Sequence, residues 1–172
     1  TKTLVMQTFS SFERLLVIKR YSKATIGTYV GMLRSFQAFL GDHLPIHQLD
    51  TPHLLNQIIR VVEQKNYAYS SHKQLIAATS LYLQEVHRRT IDFGPVYPTQ
   101  KPEHLPEILS LEEVKAILKA PDNLKHKTML VLIYSLGLRS GELINLKVSD
   151  IDSKRNVVHL KGGKGNKDRI LP

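Results

Sequence analysis

The sequence contains no cysteine among its 172 residues. That absence excludes a disulfide framework, a thiolate zinc site and a cysteine nucleophile, and it agrees with a reducing compartment. Long apolar runs are missing too, because the longest, at about residues 129–134, is far short of the roughly 20 residues that a membrane span needs. The chain also opens without a short cationic segment followed by an apolar stretch. We therefore expect a soluble, unsecreted, cytoplasmic protein.

Positive charge is what the chain has in excess, since 24 Lys and Arg stand against 15 Asp and Glu, for a formal net charge of +9. The hydrophobic content of 42% is enough to bury a core, which disfavours intrinsic disorder. The charge indicates a polyanionic partner, either nucleic acid or an anionic membrane surface. The membrane alternative is the weaker one, because the apolar stripes carry large aromatic residues and lack a lysine-rich opposing face.

A proline-rich segment divides the chain. Four of the eight prolines fall within residues 94–109, which we interpret as an extended linker. Residues 1–93 carry 11 basic and 6 acidic side chains and residues 94–172 carry 13 and 9, so both parts are basic. Ahead of the linker, apolar residues recur at helical spacing and predict four amphipathic helices. Ser22 is placed to cap the second helix and Gly41 to end it.

Beyond the linker the pattern predicts helices followed by a small β-hairpin. Ser110 and Glu113 form a capping box, and the almost uniformly apolar residues 128–138 predict a helix buried on all sides, with Tyr134 in the core. A short helix at about residues 141–146 leads to a β-branched strand at 157–160, a glycine-rich turn at 161–167 and a returning strand at 169–171. The predicted fold is mainly α, with a four-helix domain followed by the start of an α+β domain.

The glycine-rich turn carries Lys161, Lys164 and Lys167. It matches neither the P-loop nor the dinucleotide-binding spacing, and it joins two strands instead of opening a helix. Its glycines would let the backbone approach a polyanion closely, but the turn taken alone favours a solvated β-turn whose lysines keep it soluble.

Arg139 is the second unusual feature, because it follows an apolar helix directly and precedes Glu142 by three residues. A guanidinium offers a planar fork for phosphate oxygens, and a nearby carboxylate could fix its rotamer. A purely structural ion pair at a helix start is an equally good explanation of this segment by itself.

Taken together, YSLGLRSGELINLKVSDID and VVHLKGGKGNKDRILP resemble the opening of the catalytic domain of the tyrosine recombinase (phage integrase) family. In that family a GLRxxEL pattern carries the first catalytic arginine, and a GKGxKxR hairpin about 25 residues later carries the catalytic lysine. The resemblance places the arginine at Arg139, a supporting acidic residue at Glu142 and the lysine at Lys164.

The N-terminal half resembles the family's helical, SAM-like core-binding domain, through YSKATIGTYVGMLRSFQAFL and SSHKQLIAATSLYLQEV. The resemblance implies a domain at residues 1–93 that grips duplex DNA, the linker, and the first part of a catalytic domain at 110–172. Each candidate DNA contact has an alternative as a helix cap or solvated surface residue. These candidates are Lys23, Thr25, Ser71, His72 and Lys73, together with Lys161 and Lys167 of the turn.

For the intact parent, the resemblance implies cleavage and rejoining of DNA through a 3′-phosphotyrosyl intermediate, with no metal or nucleotide cofactor, by a tetramer on paired recombination sites. The chain ends before the family's HxxR motif and nucleophilic tyrosine, so we expect a fragment that is not catalytic alone. The histidines indicate no metal site either, because HExxH is absent and Pro45 separates His43 from His47. The alternative is a naturally truncated, non-catalytic DNA-binding protein that competes for, or pairs at, recombination sites.

Overall fold

The computed structural model describes residues 2–41, 43–100, 105–162 and 168–172, with the side chains of the first helix described from Phe9 onward. The chain divides into two compact units, Thr1–His104 and Leu105–Pro172. The described part of the fold is mainly helical with a small antiparallel sheet, as the sequence predicts. None of its helices is both long and apolar enough to cross a bilayer.

The first unit contains the four predicted helices. They are α1 (Lys2–Ile18), α2 (Lys23–Leu40), α3 (Thr51–Gln64) and α4 (Tyr69–His87), with short 3-10 turns at Ile46–Gln48 and Gly94–Val96. The Ser22 hydroxyl accepts the backbone N–H of Thr25 at 3.1 Å, so it caps α2 as predicted. Gly41 ends that helix with a φ of 86°, a conformation that favours glycine.

One apolar core holds the first unit together. Because each helix repeats its apolar residues at 3.6-residue spacing, one stripe per helix faces this core. The ring of Tyr82 from α4 packs against two phenylalanines of α1, with centroids 5.4 Å from Phe9 and 5.6 Å from Phe12. Val96, within the predicted linker, is also buried in the core, so the start of that segment packs on the helical unit and is not fully extended.

The second unit places three helices before a three-stranded sheet. The helices are α5 (Leu111–Lys119), α6 (Leu124–Leu136) and α7 (Ser140–Asn145), followed by a 3-10 turn at Val148–Asp150 and by β1 (Ile151–Asp152), β2 (Val157–Leu160) and β3 (Arg169–Leu171). The strands lie in the order β1-β2-β3, and both pairs are antiparallel. The predicted hairpin is β2-β3, and the capping box at Ser110 and Glu113 is present. The sequence did not predict β1, because two residues are too few to show alternation.

Helix α6 corrects one prediction. It begins at Leu124, capped by the side chain of Asn123, and ends before Gly137, whose φ is 59°. It is not buried on all sides, since Val131 is 42% exposed and Tyr134, expected in the core, is 58% exposed. An apolar helix is buried only where other elements pack against it. The described part of this unit buries only a small apolar cluster around Leu138, Val158 and Leu160.

Candidate functional site

Glu142 lies at the centre of a cluster of charged side chains in the second unit. Its Oε2 accepts the backbone N–H of Arg139 at 2.8 Å, and its Oε1 accepts the Arg139 guanidinium at 2.9 Å. The guanidinium of Arg169, from β3, donates to the same Oε2 at 2.7 Å. One carboxylate thus holds two arginines, and the three side chains together carry a net positive charge.

The local fold explains where Arg139 points. Gly137 takes a left-handed conformation after α6, and Leu138 is buried beside the sheet. Arg139 then occupies the N-cap position of α7 in an extended conformation, three residues before Glu142. The two side chains can therefore meet within one helical turn, while the Arg139 side chain keeps 60% of its surface exposed. The result is a cation that is anchored at one edge and open to solvent at the other.

The electrostatics of this cluster favour the charged form of Glu142. The pKa of the Glu142 carboxyl is lowered from its ordinary value, mainly by the hydrogen bond from the Arg139 backbone. The Arg139 side chain and the charge of Arg169 lower it further, while partial burial opposes the shift. The side chain is only 6% exposed. A fixed guanidinium of this kind presents N–H donors to an oxyanion without needing to reorganise, which suits a phosphate group.

Arg169 is the residue of this cluster that the sequence reasoning missed. The sequence predicts it only as the start of a returning strand, although it closes the GKGxKxR pattern. Its role depends on a contact with a residue 27 positions earlier in the chain, and local spacing carries no signal for such a contact. The one signal in the sequence is that Arg169 occupies the last position of the GKGxKxR pattern.

Lys161, one of the predicted DNA contacts, forms an ion pair with Asp150 at 2.7 Å. Asp150 is buried and also accepts the backbone N–H of Lys147 at 3.0 Å. The hydrogen bond from Lys161 lowers the pKa of Asp150, and the same bond raises the pKa of Lys161. The lysine side chain remains 68% exposed, so the pairing leaves it accessible to a further anion. Lys164 and Lys167 lie outside the described residues.

In the first unit, two predicted DNA contacts lie at the start of α2. Lys23 is the first residue of that helix and is exposed. Thr25 takes part in the cap, because its hydroxyl lies 2.8 Å from that of Ser22. Thr25 thus takes part in a helix cap, which is the alternative role that the sequence indicates for it. Its contact with DNA stays a prediction.

The other three predicted contacts, Ser71, His72 and Lys73, lie in the first turns of α4 and are partly buried. The Lys73 ammonium lies 5.5 Å from the ring centroids of both Tyr69 and Tyr97. A hydrogen bond with Tyr97 is the main reason why the pKa of Lys73 is raised. Burial lowers the pKa of His72, opposed by a hydrogen bond to the Val96 backbone.

The part of the chain that the structure describes contains no group of three or more His, Asp or Glu residues arranged to hold a metal ion. The pairs that do occur there, such as the stacked rings of His47 and His87, have too few ligands for a site. The expectation that no cofactor is needed stays a prediction.

Comparison with known proteins agrees with this geometry. The sequence model described as Phage integrase family matches residues 107–172, and the one described as Phage integrase, N-terminal SAM-like domain matches residues 9–90. The two matches follow one another along the chain and correspond to its two units. The chain belongs to the tyrosine recombinase (phage integrase) family.

Among its relatives, the tyrosine recombinase XerA of Pyrococcus horikoshii is 45% identical over 71 residues, covering 41% of this chain and 25% of that protein. The tyrosine recombinase XerD of Rickettsia bellii is 30% identical over 182 residues, covering 96% of this chain and 60% of that protein. The chain therefore spans less than two thirds of the length of these relatives. The fold resembles a lambda integrase tetramer bound to a Holliday junction, with a TM-score of 0.73 and 17% identity, covering 97% of this chain and 48% of that one.

Proposed function

We propose that this chain is the DNA-binding portion of a site-specific recombinase that cuts and rejoins duplex DNA through a 3′-phosphotyrosyl intermediate. The observation that supports it most is Arg139, whose guanidinium is held by Glu142 at 2.9 Å while its side chain stays 60% exposed, in the GLRxxEL segment of a chain of this family. A fixed, accessible guanidinium suits a scissile phosphate, because negative charge gathers on the non-bridging oxygens in the transition state.

We assign separate roles to the parts of the chain. Residues 1–93 would grip the duplex, residues 94–109 would connect the domains, and residues 110–172 would supply the first part of the catalytic domain. The excess of basic residues on both sides of the linker supports this division, because phosphate contacts provide most of the sequence-independent affinity for DNA. We assign contacts to Lys23, Thr25, Ser71, His72 and Lys73 in the first domain, and to Lys161 and Lys167 in the second.

The proposed reaction is a transesterification at phosphorus. A tyrosine hydroxyl of the intact parent gives up its proton to a base and attacks the scissile phosphate, the bond from phosphorus to the 5′-oxygen breaks, and a 3′-phosphotyrosyl link forms. Arg139 would stabilise the charge on the non-bridging oxygens, Glu142 would hold Arg139, and Lys164 would donate a proton to the leaving 5′-oxygen. Attack by a 5′-hydroxyl reverses these steps and rejoins the strand, so the bond energy is kept in the covalent intermediate.

None of the seven tyrosines of this chain is assigned as the nucleophile. We expect the intact parent to supply it and to work as a tetramer on paired recombination sites, in the cytoplasm with the nucleoid. The lambda integrase with a similar fold was solved as a tetramer on a Holliday junction, which supports an assembly of this kind.

A cleavage assay on the intact protein containing this chain tests the proposal. A duplex selected from a random library for binding is given a nick near the centre, so that cleavage releases a short strand and traps the covalent adduct. Arg139→Ala and Lys164→Ala should each reduce adduct formation by about 100- to 1,000-fold, the loss typical of a positioned charge-stabilising group. Duplex affinity should change little.

Arg155→Ala is the matched control, because Arg155 is 79% exposed and its distance to Asp152 is 3.8 Å. It removes the same charge and should leave adduct formation close to that of the unsubstituted protein. Full adduct formation by Arg139→Ala would refute the role assigned to that residue. If the unsubstituted protein binds the duplex but never forms an adduct, the non-catalytic alternative replaces the recombinase.

A further inference from the structure

Arg169 connects two elements that are far apart in the sequence. It begins β3, where it pairs in register with Leu160 of β2, and its guanidinium reaches the carboxylate of Glu142 on α7 at 2.7 Å. The contact bridges the sheet and the helix that begins at Ser140. The two residues are 27 positions apart in the chain, so this pair contributes tertiary structure and not merely a local cap.

The accessibility of the three side chains separates their roles. Glu142 is 6% exposed, Arg169 is 38% exposed and Arg139 is 60% exposed. A carboxylate withdrawn from water needs partners for both oxygens, because an unpaired charge there is strongly unfavourable. Arg139 supplies one donor to each oxygen, its backbone N–H to Oε2 and its guanidinium to Oε1. Arg169 adds a second donor on Oε2, and this charged donor comes from the sheet, so it ties the carboxylate to an element outside the α7 cap.

We propose that Arg169 is a positioning residue for strand cleavage: it fixes the Glu142 carboxylate and, through it, the Arg139 guanidinium. The assignment rests on the proposed function, because it needs Arg139 to face a scissile phosphate. Arg169 itself need not touch the DNA, since its guanidinium is paired with Glu142 and its Nε is buried, with no hydrogen-bond partner among the described residues. Its effect on the reaction passes through the rotamer of another side chain.

A positioning role for Arg169 and a purely structural role in the sheet predict different results for charged and uncharged substrates. If Arg169 acts through Arg139, its loss should matter where charge on the non-bridging oxygens must be stabilised. A methylphosphonate at the scissile position replaces one of those oxygens with a methyl group and removes its charge. General damage to the fold would reduce cleavage of both substrates by the same factor.

The experiment measures single-turnover cleavage of a phosphodiester and of the matching methylphosphonate by the intact protein. On the phosphodiester, Arg169→Ala should lose about 10- to 100-fold, as expected for a misplaced catalytic group. On the methylphosphonate the loss should shrink several-fold, as it should for Arg139→Ala. Arg169→Lys retains a cation and should recover most of the activity. Arg155→Ala should match the unsubstituted protein on both substrates.

Equal fractional losses of Arg169→Ala on the two substrates, or activity unchanged on both, would overturn the assignment. A 5′-phosphorothiolate substrate gives a further test, because its sulfur leaves without a proton. If this substrate restored cleavage by Arg169→Ala, the defect would lie in the general acid and not in Arg139, and the assignment would be overturned. If Arg169→Ala does not fold, Arg169→Gln takes its place in the same assays. Failure of the unsubstituted protein to cleave either substrate would instead refute the recombinase proposal, and this assignment with it.

Discussion

At the scale of single residues, a few buried polar side chains fix the backbone around them. Gln37, near the end of α2, is 5% exposed. Its amide donates to the carbonyls of Gly41 at 2.9 Å and Leu44 at 3.1 Å, and its oxygen accepts the N–H of Ile46 at 3.1 Å. This one side chain thus binds three backbone groups of the segment between α2 and α3, and one of them, the N–H of Ile46, is buried.

Gln37→Ala should therefore lower the free energy of unfolding by about 1–3 kcal/mol, since it leaves the buried N–H of Ile46 without its acceptor. Urea denaturation followed by circular dichroism measures the change. Gln64→Ala removes the same side chain from an exposed position at the end of α3 and should change stability by less than about 0.5 kcal/mol. Equal effects of the two substitutions would show that the Gln37 contacts do not stabilise the turn.

Among the helices and strands, the sequence predicts those features that depend only on residues close together in the chain. The caps at Ser22 and Ser110 and the glycine turn at Gly137 follow from local hydrogen bonding and backbone conformation, so their residue types identify them. The exposure of α6 could not be predicted in this way, because it depends on which segments pack against the helix. The same holds for the pair of Arg169 and Glu142, which forms only when the sheet meets α7.

A second long-range contact joins the end of α4 to the 3-10 turn before α3. The rings of His47 and His87 are stacked with centroids 4.3 Å apart and an interplanar angle of 2°. The Tyr82 hydroxyl lies 3.0 Å from Nε2 of His87, and the Arg89 guanidinium donates to the backbone carbonyls of His47 and Leu49. Burial lowers the pKa of both histidines, and the charge of His47 lowers that of His87 further.

Acidification should therefore weaken the first unit. Since both pKa values are lowered by folding, the unfolded chain binds protons more readily, and stability is lost as the pH falls below the ordinary histidine value of 6.5. His47→Phe preserves a stacked ring without the charge, so its free energy of unfolding should fall less between about pH 7.5 and 5.5. His43→Gln, at an exposed histidine, should follow the unsubstituted protein. Parallel curves for all three would rule out the stacked pair as the cause.

At the scale of the whole molecule, the two units differ in how well they are packed. The first has one extended core built from all four helices, while the described residues of the second bury a small apolar cluster around Leu138, Val158 and Leu160. Helix α6 also leaves the apolar side chains of Val131, Ile133 and Tyr134 exposed in the part of the chain that the structure describes. Both units are basic, and this shared charge is the property that DNA binding by the chain requires.

Binding of duplex DNA by this chain is tested by measuring its affinity as a function of salt concentration. Fluorescence anisotropy with a labelled duplex, from about 50 to 200 mM salt, should show the logarithm of the binding constant falling linearly with the logarithm of salt concentration. Lys73→Ala should weaken binding and reduce that slope by about 1. Arg60→Ala, which removes an exposed charge from α3, should leave the slope unchanged. No affinity for duplex at the lowest salt, or an affinity independent of salt, would contradict the account.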